Sequence, residues 1–214
     1  MKCTDLLLQD HTILRRGLDI LDSMMKKLED GQRIEIVDVK SILKFFQAFG
    51  DEYHQTVEEE VLFPALVRAV PQGSPIHQLV MEPGEERPLA AWIMEAFASR
   101  RVIDFVYSSR RLSHLLRNHI AKEEAVLAQL AGRLLSEEED DRIVDEFKKH
   151  RKEAETYINF TRLELKYTVR SDSTRLSFQS ELVREQSGGL NDHAKSTSDG
   201  AALMQLSNLS LWKS

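Results

Sequence analysis

The sequence predicts an all-α protein, in which a helical bundle is followed by a further helix and a disordered tail. Three observations carry this expectation. Apolar residues recur at helical spacing through residues 4–165, and strand-like alternation over the same span is weak and short. The chain has 214 residues, 42% hydrophobic and 30% charged, enough apolar material for one sizeable core. Composition then shifts abruptly toward serine.

Each element follows from local pattern. Thr4 or Asp5 is a candidate cap for a first helix with Leu7, Leu8, His11, Leu14, Leu18, Leu21, Met25 and Leu28 along one stripe, ending near Asp30-Gly31. A second helix is expected from about Glu35 to Arg68, turning Ile42, Phe45, Phe46, Phe49, Val57, Val61 and Leu62 inward. Pro71 to Pro75 reads as a loop, with Ser74-Pro75 opening a third helix. A fourth is expected over Val102 to Arg133, with Phe105, Leu112, Leu115, Leu116, His119, Ile120 and Leu127 facing the core. Ser136 with Glu139 three residues on forms a capping box for a fifth helix reaching about Leu165. Long helices joined by short loops make a bundle whose interior can hold a site.

The division expected is a helical domain over 1–168 and a Ser-rich tail over 169–214. Ten serines fall in the last 44 residues, and Gly188-Gly189 and Asp199-Gly200 interrupt them, so the expected state there is disorder. Net charge is −6, which argues against a basic nucleic-acid surface. Ser99-Arg100-Arg101 and Ser109-Arg110-Arg111 read as solvated helix faces. Cys3 is the single cysteine, which excludes an internal disulfide and fits a reducing compartment. The start, MKCTDLLLQDH, is charged too early for a signal peptide or a membrane span. A cytoplasmic protein is expected.

Two segments share a pattern that carries chemistry. HQTVEEEVL runs from His54 to Leu62, and HIAKEEAVL from His119 to Leu127. Residues four apart share a helix face, so His54 pairs with Glu58 and His119 with Glu123. Either pair alone is explained by a surface contact. Two copies with the same flanking Glu, Val and Leu fit a metal site built between facing helices. Nitrogen and carboxylate oxygen without thiolate suit iron or manganese. Ferritin-like sites use the reverse order, Glu-x-x-His, and the His-Glu-x-x-His of metalloproteases is absent.

DHTILRRGLDIL, then EEEVLFPAL, then HIAKEEAVL, in that order, resemble the hemerythrin family, specifically its bacterial and archaeal HHE cation-binding type. The resemblance covers roughly residues 4 to 165. It implies an antiparallel four-helix bundle around a non-haem di-iron centre, with the fifth helix additional. By resemblance His11, His54 and His119 are nitrogen ligands, Glu58 and Glu123 are bridging carboxylates, and the cofactor is iron, two ions in the family. The ligand implied is a small diatomic such as O2 or NO, with no nucleic-acid or membrane partner.

One departure stands out. The family's third-helix histidine falls on Pro83, and Gly84 and Pro88 add to the disruption of a helix there. Glu82, Glu85 or Glu86 are the candidate substitutes. Otherwise one iron is lost, or the fold persists without metal. His77, His114, His150 and His193 are expected outside the site. The resulting reading is an iron-binding protein that binds or senses oxygen, nitric oxide or iron. The alternatives are a di-iron oxidase or reductase acting on a small oxidant, and a metal-free helical interaction module.

Overall fold

A computed structural model describes residues 2–79, 86–130, 134–151 and 154–168. The tail from 169 onward and the Pro83 position lie outside these residues. Helix α1 spans Lys2–Glu29 and α2 Ile36–Phe45. The second rod continues through two π-helical stretches, Phe46–Gln55 and Glu58–Leu62, into α3, Phe63–Ala69. Then come α4 (Pro75–Leu79), α5 (Glu86–Ala98), α6 (Val102–Leu130), α7 (Glu137–His150) and α8 (Ala154–Tyr167). No strand occurs among the described residues, and no helix there is long and apolar enough to cross a membrane. α1, the α2–α3 rod, α5 and α6 form an antiparallel four-helix bundle. α7 and α8 pack on its outside, both against α1 and α8 also against α2.

Helix α1 begins at Lys2, ahead of the expected caps at Thr4 and Asp5. Its first amides are satisfied from another helix. Asp140 of α7 accepts the backbone N–H of Lys2 at 2.8 Å and that of Cys3 at 3.0 Å. A carboxylate at this end satisfies free amides and complements the helix dipole. α1 closes where expected. Gly31 takes φ 71°, and the amides of Gly31 and Gln32 bond back to Leu28 and Lys27.

The α5–α6 turn has the same geometry with Arg100 in the left-handed position, φ 59°. The amides of Arg100 and Arg101 bond to Phe97 and Ala96. These arginines therefore form a turn, not the helix face expected.

Ser136 caps α7 by accepting the Glu139 amide at 3.2 Å. The single fifth helix, however, is two. The chain leaves helical geometry at Arg151, ψ 88°. Lys148 to Glu155 contains no large apolar residue, so a continuous helix would have nothing to bury there.

The expected α1 stripe is buried except for Leu8, which is exposed, while Leu7 turns inward. Gly17 allows α2 to approach α1 closely. A Cβ placed there would lie 2.4 Å from Cε1 of Phe45. The Phe45 ring in turn stacks on Phe160 of α8, with centroids 4.5 Å apart. Asp38, fully buried on α2, accepts from Arg162 at 2.8 Å, Lys166 at 2.6 Å and the Tyr167 hydroxyl at 2.8 Å. α8 is thus fixed to the bundle by an aromatic stack and a buried carboxylate.

Candidate metal centre

All five side chains singled out by the sequence converge between α1, the π-helical rod and α6. His11 Nε2 lies 3.0 Å from Glu123 Oε2 and 3.7 Å from Glu58 Oε1. His54 Nε2 is 3.3 Å from Glu58 Oε1. His119 Nε2 is 2.9 Å from Glu123 Oε1. Candidate donor atoms of His11, His54, Glu58 and Glu123 all lie within 4.8 Å of one another. These four residues are buried, whereas His119 stands half-buried at the edge. Each repeated pair keeps its contact because residues four apart share a face. π-helical turns often occur at functional positions, and His54 and Glu58 both lie in them here.

The cluster's electrostatics are those of a site short of positive charge. Burial lowers the proton affinity of His11, but Glu123 and Glu58 outweigh it and hold the imidazole up to about 9. Burial also disfavours charge on Glu123, yet His11 and His119 bring it down to about 2. Burial raises Glu58. His54 opposes that rise, and the neighbouring Glu123 charge adds to it.

His11 Nε2, Glu58 Oε1 and both carboxylate oxygens of Glu123 are buried and meet only in the His–Glu contacts given above, none of them a well-aligned hydrogen bond. Buried polar atoms of this kind are costly. A cation placed among them would satisfy nitrogen and oxygen donors together. The donor set fits a metal ion on chemistry as well as on position.

Surrounding residues fix the donors' orientation. Glu124 accepts from His11 Nδ1 at 3.2 Å. The same carboxylate is gripped by Arg15 through two bonds, of 2.7 and 2.6 Å. Asp10, buried beside His11, accepts from the Tyr53 hydroxyl at 2.8 Å and stands 4.0 Å from His54 Nδ1. Arg151, where α7 ends, lies 3.7 Å from the other Asp10 oxygen. None of Asp10, Arg15, Tyr53, Glu124 or Arg151 was singled out from sequence. Glu124 alone carried a signal, as the second glutamate of its repeat.

Among the described residues, the remaining histidines sit apart from the cluster. His77 Nδ1 is 3.2 Å from the Ser74 carbonyl, His114 is exposed beside Asn118, and His150 lies near Glu146. His193 lies outside the described residues, as do the substitute ligands Glu82 and Glu85. Glu86 opens α5.

A four-helix bundle enclosing a His/Glu cluster with unsatisfied donors defines a cation-binding helical protein. The model of the hemerythrin HHE cation-binding domain matches residues 3–131, and the chain belongs to this family. No curated protein and no solved structure gives a significant match. α7 and α8 lie beyond the matched segment.

Proposed function

We propose that the chain binds iron through His11, His54, Glu58, His119 and Glu123, and that it binds or senses oxygen, nitric oxide or iron through that centre. The observation that carries the reading is the set of buried imidazole and carboxylate donor atoms, gathered within 4.8 Å of one another and without aligned hydrogen bonds. Iron is favoured within the family's cations because the donors are imidazole and carboxylate. Cys3, the single thiol, is buried near the start of α1 and is not among the clustered donors. Iron held there would supply redox chemistry and an affinity for a small diatomic molecule.

The chain's own residues do the rest. Glu58 and Glu123 bring negative charge into the bundle, and His11 and His54 add nitrogen donors. Arg15 and Glu124 orient His11, which with Glu123 is fully buried on the α1 side of the cluster. The four buried donors form one compact set suited to one ion. His119 and the adjoining oxygen of Glu123 provide part of a second position.

The test is anaerobic reconstitution with ferrous iron, followed by desalting and metal quantitation. About one retained equivalent per folded chain is expected, and two if a further ligand completes the second position. Glu58→Ala and Glu123→Ala should each lose the metal while remaining helical. A reversible absorption change under nitric oxide or oxygen supports the sensing role. A folded protein that retains no iron at micromolar concentration would sink the proposal.

A further inference from the structure

Beside the cluster lies a cavity far larger than a diatomic molecule requires. It is a half-open cleft of about 1410 Å3 between α2 with its π-helical continuation, α5 and α6. Typical small-molecule sites hold roughly 300–1,000 Å3. His54, Glu58 and His119 line it, so it is continuous with the candidate metal centre. Much of its wall is apolar, with Leu43, Phe46, Met94, Leu112, Leu115 and Leu116 among the lining residues. This explains why Leu115 and Leu116, expected in the core, are half-buried: they face the cavity.

Charge along the cavity is segregated. Near the His/Glu cluster the lining carries Asp51, Glu52, Glu58 and Glu59 against one cation, Lys122. At the other end, on α2, it carries Lys40 and Lys44. They are four residues apart, so they share a helix face, and both are exposed. Every acidic residue among the described lining belongs to the first group. Allowing for the π-helical stretch, the helical rise between Lys40 and Glu58 is on the order of 20 Å, comparable with an extended long alkyl chain.

We propose that this cavity binds a long-chain carboxylic acid, with its carboxylate at Lys40 and Lys44 and its alkyl chain directed along Leu43, Phe46 and Leu116 toward His54 and His119. The Lys pair attracts the acid group, and the acidic lining near the cluster repels it, which sets the direction of binding. The apolar wall takes the chain, whose transfer from water drives association. The assignment rests on the cavity and its charges and does not require metal.

Oleate, kept below its micellar concentration, is titrated by calorimetry into the metal-free full-length chain. Saturable one-to-one binding of micromolar affinity is expected, and the amine of equal chain length should bind at least about tenfold more weakly. The double variant Lys40→Glu/Lys44→Glu should lose about tenfold in oleate affinity, with helicity and thermal midpoint unchanged. Met94→Trp, which narrows the cavity, should weaken oleate and the amine alike. Absence of saturable oleate binding to folded protein overturns the proposal. Equal affinity for the amine, or no effect of the lysine reversals, does so as well. Ferrous iron uptake by the same lysine variant should stay at the wild-type level, so a failure here is separable from a failure of the metal centre.

Discussion

Glu124 accepts the Nδ1 proton of His11 across 3.2 Å, which leaves Nε2 facing Glu58 and Glu123. Arg15 holds that carboxylate with two bonds, so the orientation of His11 is set by a pair from two different helices. Carboxylates behind a ligating histidine fix its tautomer and raise its basicity. Glu124→Ala should therefore weaken metal binding by about ten- to a hundredfold, and Arg15→Ala by less. Chelator competition measures the affinity, and histidine nitrogen NMR reports the tautomer. Unchanged affinity together with an unchanged tautomer would rule out this positioning role.

Metal binding should strengthen as pH rises. In the metal-free protein the carboxylates around His11 hold its proton up to about 9, and burial with the nearby Glu123 charge raises Glu58 as well. A metal must displace the His11 proton, so apparent affinity should climb about tenfold per pH unit below 9. The same proton stabilises the metal-free fold. Because the folded pKa of His11 lies above its unfolded value, this contribution is complete below about 6.5 and disappears as pH rises through about 9. The two effects add in one observable. The rise in thermal midpoint caused by manganese(II), a redox-quiet stand-in, should be larger at high pH than at neutral pH. A smaller rise at high pH would contradict the assignment of His11 as a ligand.

The bundle and the converging side chains were legible because helical periodicity writes them into the chain. An i to i+4 spacing fixes a shared face wherever the helix goes, so both His/Glu pairs could be found. What surrounds them was not legible, since it depends on which helices meet. Glu59 and Glu124 hold equivalent places in the two repeats, yet Glu59 is exposed and bonds to Gln55, while Glu124 locks His11 and Arg15. The start of α1 was misplaced for the same reason, because its cap is Asp140, far along the chain. The break at Arg151 had a local signal, the charged run from Lys148, but the favourable periodicity on either side concealed it.

Gly17→Ala should destabilise the protein although alanine favours helices. The added methyl would lie 2.4 Å from Phe45 Cε1, closer than nonbonded carbon atoms approach. Phe45 cannot easily retreat, because its ring stacks on Phe160 and also on Phe49. Overpacking of this kind costs about 1–3 kcal/mol, which exceeds the roughly 1 kcal/mol gained from helix propensity. Chemical denaturation measures the difference. A stabilised variant would mean that α2 can move away from α1 at little cost.

Asp38 should make the attachment of α8 sensitive to acid. Burial alone would raise its pKa, but Lys166, Tyr167 and Arg162 outweigh that and lower it. A carboxylate whose folded pKa is depressed contributes stability in full above its unfolded value near 4, and the contribution is lost as pH falls through the folded pKa. Asp38→Asn removes the charge while keeping the shape, and it should cost roughly 2–4 kcal/mol at neutral pH. Below about pH 4 the gap between variant and wild type should narrow, because the wild-type carboxylate is itself being protonated. Hydrogen exchange locates the effect. Amides of α8 should lose protection in the variant while those of α6 keep theirs, since α8 is held by Asp38 and Phe45, whereas α6 packs mainly on α1 and α5. Equal loss of protection in both helices would show that Asp38 supports the whole bundle, not the docking of α8.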